Sequence, residues 1–478
     1  MRLLTSSPKL ILCAALTVGA LLGTASTASD WPRFRGPNGS GVAEISNLPT
    51  EFSVETADWT VPVVFGRSSP IVAGGLVYLT GLDDDELVTL AIDASTGEMR
   101  WKRGVPRRRT DTVSSETGPA VATPVSDGQN VFAFFPEFGI VSYDRGGRER
   151  WRHELPPLRS YYGLASSPIL EDGVLILLCD QTRAPYLLGL DAGTGKVLWK
   201  HERSVQAESW TTPVVHRSGT PDARVLTFGT FLTEAYVPRT GAVAWSLPGV
   251  GPTPVASPVV AEDRLFVLAP DQVEESAPPS YESFASLDDD FDGALSKSEI
   301  APSPWASAFD WFDSDGDGSA ALVEIRAALD VMASSDYGLV GIDLSGAGRP
   351  EVLWSQKRTL PYVSTPILYD GVLFLIKDGG ILTSYEPNTG KVIKRGRVQG
   401  AIEGFSPSPV ATDGKLYLTS NTGKIAVIRA EGQWSTLAVN DLDEVIHGTP
   451  ALAEGRMFVR TRSKLLSFAA EAAQSSKN

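Results

Sequence analysis

Cysteine is nearly missing from this chain. Cys13 and Cys179 are the only two in 478 residues, so a disulfide framework is excluded. Cys13 lies in the apolar run "LILCAALTVGALLG", which follows Arg2 and Lys9 and precedes the small residues "TASTAS". That order predicts a secretory signal, cleaved after Ala28 with Ser26 three residues from the cut. At about 14 residues the run is short of the ~20 that span a bilayer. Leu12 also spoils a lipoprotein box. No second run is long enough for a transmembrane segment, and removal of the signal leaves Cys179 alone, so an exported chain must rely on its core.

A broad basic face is missing too. The net charge is −15, from 57 Asp/Glu and 42 Lys/Arg. Residues 271–335 hold 15 acidic and 2 basic residues, which leaves a balance of −2 for everything else. Nucleic-acid partners are disfavoured. A nucleophile elbow, a zinc motif and a phosphate-binding glycine loop are likewise absent.

What the chain does have is a repeat. A Ser/Thr-Pro-aliphatic unit recurs as "SSPIV", "ATPVS", "SSPIL", "TTPVV", "ASPVV", "STPIL", "PSPVA" and "GTPAL". Its prolines, Pro70 to Pro450, are separated by 54, 44, 45, 45, 108, 43 and 41 residues. With the acidic segment removed, the long interval falls to 43, so eight units share a period near 44. Each unit continues with an alternating strand such as "GLVYLTG", a third strand ending in "AIDASTG" or "GLDAGTG", and a fourth that begins at Trp. In the turn, Asp can bond the backbone ahead of it and Gly supplies a positive φ. Trp101, Trp151, Trp199 and Trp245 each follow the turn glycine by four residues; Trp354 and Trp434 occupy looser copies, and Lys394 replaces Trp in another. Four strands repeated eight times predict an all-β, eight-bladed β-propeller. The strand at Trp59 precedes the first unit and the last unit lacks a Trp strand, so the N-terminal strand is expected to complete blade eight and remove both free edges.

"AIDASTGEMRW" resembles the tryptophan-docking repeat of the pyrroloquinoline quinone (PQQ)-like β-propellers, and "DWPRFRGPNGSGVAE" looks like the leader of secreted bacterial members. The resemblance covers roughly residues 30–470 outside the acidic segment. It implies that Trp101, Trp151, Trp199 and Trp245 pack between neighbouring blades. For activity it implies little, because one fold hosts many functions. Alcohol-oxidising quinoproteins of this fold set the cofactor against adjacent cysteines, with calcium in the centre. Cys179 stands alone here, so PQQ is not expected.

The acidic segment holds two 12-residue loops with EF-hand calcium spacing. "DDDFDGALSKSE" offers Asp288, Asp290, Asp292, the Ala294 carbonyl, Ser296 and Glu299. "DSDGDGSAALVE" offers Asp313, Asp315, Asp317, the Ser319 carbonyl and Glu324. Alternate carboxylates on a tight loop converge on one cation, Gly293 or Gly318 permits the bend, and the last Glu closes the shell. Leu295 is the aliphatic residue that would pair the loops, while Ala320 is small there and Ala321 offers no side-chain oxygen. Phe284 and Phe309 precede their loops by four residues, where an entering helix would bury them; Ser303 and Pro304 resemble a helix N-cap and first residue.

The domains expected are a signal peptide (1–28), an N-terminal extension (29–56), a propeller (57–270 and 337–470), an all-α EF-hand pair inserted in blade five (271–336) and a tail (471–478). The insert leaves between the second and third strands, so it should hang over the face that carries the blade-to-blade connections. On that face Arg67, Tyr162, Trp210, Tyr362, Glu403, Phe405 and His447 should rim the channel, as a ligand site or as channel filling. The run Arg107–Arg109 lies in a long connection and reads as a solvated face. Three functions stay open: a monomeric periplasmic or secreted binding scaffold of the BamB type, with a protein or polysaccharide partner; a quinoprotein oxidoreductase; or a carbohydrate-related enzyme using the rim.

Overall fold

Each Ser/Thr-Pro unit folds into a four-stranded antiparallel sheet, and eight such sheets form the ring in this computed structural model. It describes residues 30–470 except 110–116, 161, 204–207, 271–279, 307–308, 314–315, 334–335 and 347–348. The signal sequence, the C-terminal tail and Asp315 therefore lie outside the described residues.

Blade 3 shows the pattern. Its strands are Ile169–Glu171, Val174–Cys179, Tyr186–Asp191 and Val197–Glu202, from the axis outward. The second strand, "VLILLC", is buried at every position, whereas the fourth alternates exposed and half-buried residues. Neighbouring blades cover both faces of the middle strands, which is why those strands are continuously apolar. Leu175, Leu177 and Leu188 of blade 3 share one apolar cluster with Phe132, Phe134 and Ile140 of blade 2.

Trp docking joins the blades at the outside. The Trp151 indole donates to the Ala192 carbonyl at 3.1 Å, and its ring covers Gly195 of the next blade. A Cβ on Gly195 would sit 2.4 Å from that ring, and its φ is +72°, so glycine is required. Trp101, Trp199 and Trp354 dock in the same way on the turns at Gly147, Gly241 and Gly390. Trp245 packs into an apolar cluster with Val340 and Ile342 of blade 5. The ladders between third and fourth strands of the first seven blades carry a register shift, as at Gly189/Leu190 beside Trp199. Such a bulge re-aims the side chain that follows it.

Trp59–Pro62 pairs with Lys464–Ala469 and completes blade 8, with Trp59 opposite Ser467. Trp59 then docks on Gly97 of blade 1. Both ring edges are closed, as expected. Trp434 differs from expectation. It lies just before the fourth strand of blade 7 and packs back against blade 6, in one cluster with Phe374, Ile376 and Val398. The reason is Lys394, whose ammonium lies 4.3 Å from the Trp434 ring and bonds its carbonyl. A cation on the aromatic face replaces indole docking at that joint.

Between the second strand of blade 5 (Arg264–Ala269) and its third (Gly338–Asp343), the described residues include helices α1 (Tyr281–Ala285), α2 (Lys297–Ile300), α3 (Phe309–Phe312) and α4 (Leu322–Ala333). Among the described residues, no helix is long and apolar enough to cross a membrane.

Candidate functional site

The repeat's Ser/Thr has a geometric role at the axis. The amide of Ser69 donates to the Thr123 hydroxyl at 3.0 Å, Thr123 to Ser167 at 3.0 Å, and Ser167 to Thr212 at 3.0 Å. Thr212 donates to Ser257 at 2.9 Å, Ser257 to Thr365 at 3.1 Å and Thr365 to Ser408 at 3.2 Å. Ser408 continues to Thr449 at 3.0 Å, and Thr449 returns to Ser69 at 2.9 Å. The proline that follows has no N–H, so each unit gives the ring one amide and one hydroxyl acceptor. Eight bonds close one circle, and all eight residues line a central cavity of about 470 Å³.

One end of that cavity is covered by the N-terminal segment. Trp31 bonds Val72 of blade 1 through both backbone groups, and Asn38 bonds Val215 of blade 4 at 2.7 and 2.9 Å. Ala43 and Ile45 reach blade 7 at Ala411 and Thr412. Gly36, at φ +68°, has Trp31 folded over it where a Cβ would fall 2.3 Å from the indole. The Arg33 and Arg35 side chains turn inward to the carbonyls of Pro213 and Pro366. Burial alone pulls the Arg35 pKa down to about 9, which leaves it charged at neutral pH. Phe34 lines the cavity. The channel is therefore a cup with a floor.

Its mouth carries Arg67, Tyr162, Trp210, Tyr362 and His447, five of the seven residues expected at the rim. Arg67 Nη1 lies 3.4 Å from His447 Nδ1, and Tyr162 meets the Trp210 ring edge-on at 5.4 Å. The other two differ. Phe405 is buried among the apolar residues of blades 6 and 7, and Glu403 pairs with Lys424 at 2.6 Å. Asn421 and the hydroxyl ring also line the cavity; no local motif marks Asn421, whereas the Ser/Thr-Pro repeat is the sequence signal of the ring. In the run Arg107–Arg109, Arg108 is exposed, as expected, whereas its two neighbours are tied down. Arg107 pairs with Glu137, and Arg109 bonds the carbonyls of Pro136, Leu155 and Pro156.

The helical insert stands on the mouth side. Innermost strands run from mouth to floor, so second-to-third hairpins turn back at the mouth. Arg183 in that hairpin of blade 3 reaches Asp313 Oδ2 at 3.2 Å. Phe231 in the equivalent turn of blade 4 meets Trp311 at 6.2 Å between ring centroids. Asp336 bonds the backbone of Gly249 and Gly251, in the connection to blade 5.

Within the insert, Ala294–Leu295 pairs with Ala320–Ala321, bringing the two acidic loops side by side. Phe284, Leu295, Phe309, Phe312, Ala320 and Ile325 form its core. Helix α3 is described over Phe309–Phe312, and upstream of it the Ser303 hydroxyl accepts the Trp305 amide at 3.1 Å in the turn at Pro304. One carboxylate oxygen from each of Asp288, Asp290 and Asp292 lies within 4.8 Å of the other two. Glu299 folds back across its loop to the amides of Asp289 and Ser296 at 3.1 and 2.7 Å, and Ser296 caps α2. The Ala294 carbonyl belongs to the paired strand. In the second loop Asp313 is buried, with Oδ2 on the Gly318 amide at 3.2 Å and Oδ1 without a partner among the described residues. Asp317 bonds the Ser319 amide at 2.8 Å and Glu324 the Ala321 amide at 2.9 Å.

Comparison with known proteins agrees with this architecture. The family model described as Outer membrane protein assembly factor BamB matches residues 55–179 and 139–277. No curated protein matches the chain. BamB from Moraxella catarrhalis is similar at 12% identity and a TM-score of 0.54, over 87% of this chain and 98% of that one. Quinohemoprotein alcohol dehydrogenase from Comamonas testosteroni is similar at 13% identity and a TM-score of 0.59, over 93% and 81%. A europium-containing methanol dehydrogenase is similar at 11% identity and a TM-score of 0.55, over 92% and 98%. Identities this low show the fold alone. The chain is an eight-bladed β-propeller, and its residues 55–277 match the family model described as Outer membrane protein assembly factor BamB.

Proposed function

We propose that this protein is an exported, calcium-binding propeller that acts as a monomeric, non-enzymatic scaffold, with an EF-hand pair presenting a protein- or polysaccharide-binding surface on the mouth face. One observation carries the reading: three carboxylates of the first loop converge within 4.8 Å. Clustered carboxylates repel one another, and a hard cation with oxygen ligands relieves that repulsion. Asp288, Asp290, Asp292, the Ala294 carbonyl, Ser296 and Glu299 would hold one calcium; Asp313, Asp315, Asp317, the Ser319 carbonyl and Glu324 the other. Asp313 Oδ1, without a partner among the described residues, favours the second site. Extracellular modules of this kind have dissociation constants of about 10⁻⁴–10⁻³ M. Calorimetry of the full chain with calcium should resolve two sites, with Glu299→Gln and Glu324→Gln each removing one. Absence of any calcium heat rejects the proposal.

A quinoprotein reading fits the cup poorly. A calcium-bound quinone needs carboxylate ligands, and none lines the cup among the described residues. Dye-linked turnover after addition of PQQ and calcium, well above a boiled control, would restore that alternative.

A further inference from the structure

The second acidic loop touches the propeller through one of its own ligand residues. Arg183, in the hairpin between the second and third strands of blade 3, sets Nη2 3.2 Å from Asp313 Oδ2. Its Nη1 lies 3.5 Å from the Gly316 carbonyl, and a Cβ on Gly316 would fall 3.4 Å from that nitrogen. Asp313 is buried, and Oδ2 also accepts the Gly318 amide. Oδ1 has no partner among the described residues and is the atom left for a metal ion. A loop cation and a propeller cation would therefore share one carboxylate. The first loop differs. Its Asp288, Asp290, Asp292 and Glu299 bond amides and a hydroxyl, with no arginine or lysine partner among the described residues.

A guanidinium beside a ligand carboxylate offsets part of its charge and repels an incoming divalent cation. It can also hold the carboxylate in place, which favours binding. Here the second effect is small, because burial and the Gly318 amide already fix Asp313. Repulsion decides the sign, softened by water since the Arg183 side chain is 38% exposed. Coupling between two bound cations is reciprocal: what Arg183 does to calcium, calcium does to the Arg183 contact. Two other contacts do not involve a loop carboxylate. Phe231 of blade 4 meets Trp311, and Asp336 bonds the backbone of Gly249 and Gly251. They keep the insert anchored when the contact with blade 3 loosens.

We propose that Arg183 is a built-in counter-ion of the second loop, which lowers that loop's calcium affinity and is displaced from Asp313 when calcium enters. This rests on the calcium reading of the insert and adds its control by the propeller. The test is calcium calorimetry of the full-length protein in a Glu299→Gln background, where the second site remains. Arg183→Gln should tighten calcium binding roughly three- to tenfold, and Arg183→Lys, which keeps the charge, should stay near the parent. The difference should shrink as salt is raised. By hydrogen exchange, calcium should loosen residues 180–185 of blade 3 while protecting the Gly318 amide. No calcium heat in the unsubstituted protein would sink the calcium reading itself, and this proposal with it. Calcium heat with equal or weaker affinity in Arg183→Gln, or a lysine variant as tight as the glutamine one, overturns the role of Arg183 and leaves the calcium reading standing.

Discussion

The amide of Thr449 donates to the hydroxyl of Ser69 at 2.9 Å, across 380 residues of chain. It is the last of eight equivalent bonds, and it joins blade 8 to blade 1 at the axis as Trp59 on Gly97 joins them at the rim. The ring is thus closed twice, by polar contacts inside and aromatic ones outside.

Thr212→Val should measure the inner closure. Valine keeps the shape of threonine but leaves the buried Ser167 amide without its acceptor. An orphaned buried donor costs about 1–3 kcal/mol. Urea unfolding should show that loss, and Thr212→Ser should recover most of it. A valine variant as stable as the parent would mean the ring bonds are dispensable.

The outer closure is tested by Gly195→Ala. Alanine at φ +72° is strained, and its methyl would fall 2.4 Å from the Trp151 ring. Together the left-handed backbone and the overpacking should cost about 2–4 kcal/mol. Gly173→Ala, at φ +75° with open space around it, separates the two contributions and should cost less. Equal losses in both variants would rule out Trp docking as the cause.

Arg203 is a third lever. Buried between blades 3 and 4, it bonds Asp180 at 2.7 Å, Glu234 at 2.9 Å, Thr227 at 2.7 Å and Tyr236 at 2.7 Å. Removing one partner of a buried pair strands the other, at about 3–5 kcal/mol. Asp180→Ala should therefore lower the denaturation midpoint strongly, whereas the exposed pair Arg239–Asp172 should matter little when cut. A mild Asp180→Ala phenotype would mean that Glu234 alone satisfies Arg203.

Acid should loosen the blade turns. Asp93 is held below the usual carboxylate range chiefly by the Ser95 hydroxyl, then by Arg100; Asp191 by the Thr194 hydroxyl; Asp144 by the Arg148 amide. An unfolded aspartate titrates near about 3.9. Because the folded values are lower, these turns contribute stability above that pH and lose it as pH falls through the folded values. Melting temperature should drop below about pH 4, and Asp191→Asn should flatten that slope. An unchanged acid slope in the variant would dismiss the turn carboxylates as its source.

Chelation should act locally. Both ends of the insert leave paired strands of one hairpin, Ala269 opposite Gly338, so the blade holds its register without the helices. Calcium removal should raise hydrogen exchange across the described residues of 284–330 and leave the Trp-bearing strands protected. Collapse of both parts at one temperature would make calcium structural for the whole protein.

Period, turn chemistry and loop spacing are local, so the residues alone determined eight blades, the Trp59 closure and the two acidic loops. The Asp93 turn, for instance, is written within five residues, and its geometry follows from hydroxyl and amide groups in reach of one carboxylate. What depends on residues far apart was decided only by the fold. Trp434 turned back toward blade 6 because Lys394 meets its ring, Phe405 sank into the core, and Arg107 found Glu137. The cup shows the same limit. Its hydroxyls belong to one visible repeat, but their convergence needs ring closure, and its floor needs Arg35 carried across to Pro366, 331 residues away. A sequence states which groups exist; only packing brings eight of them to one axis around a shared cavity.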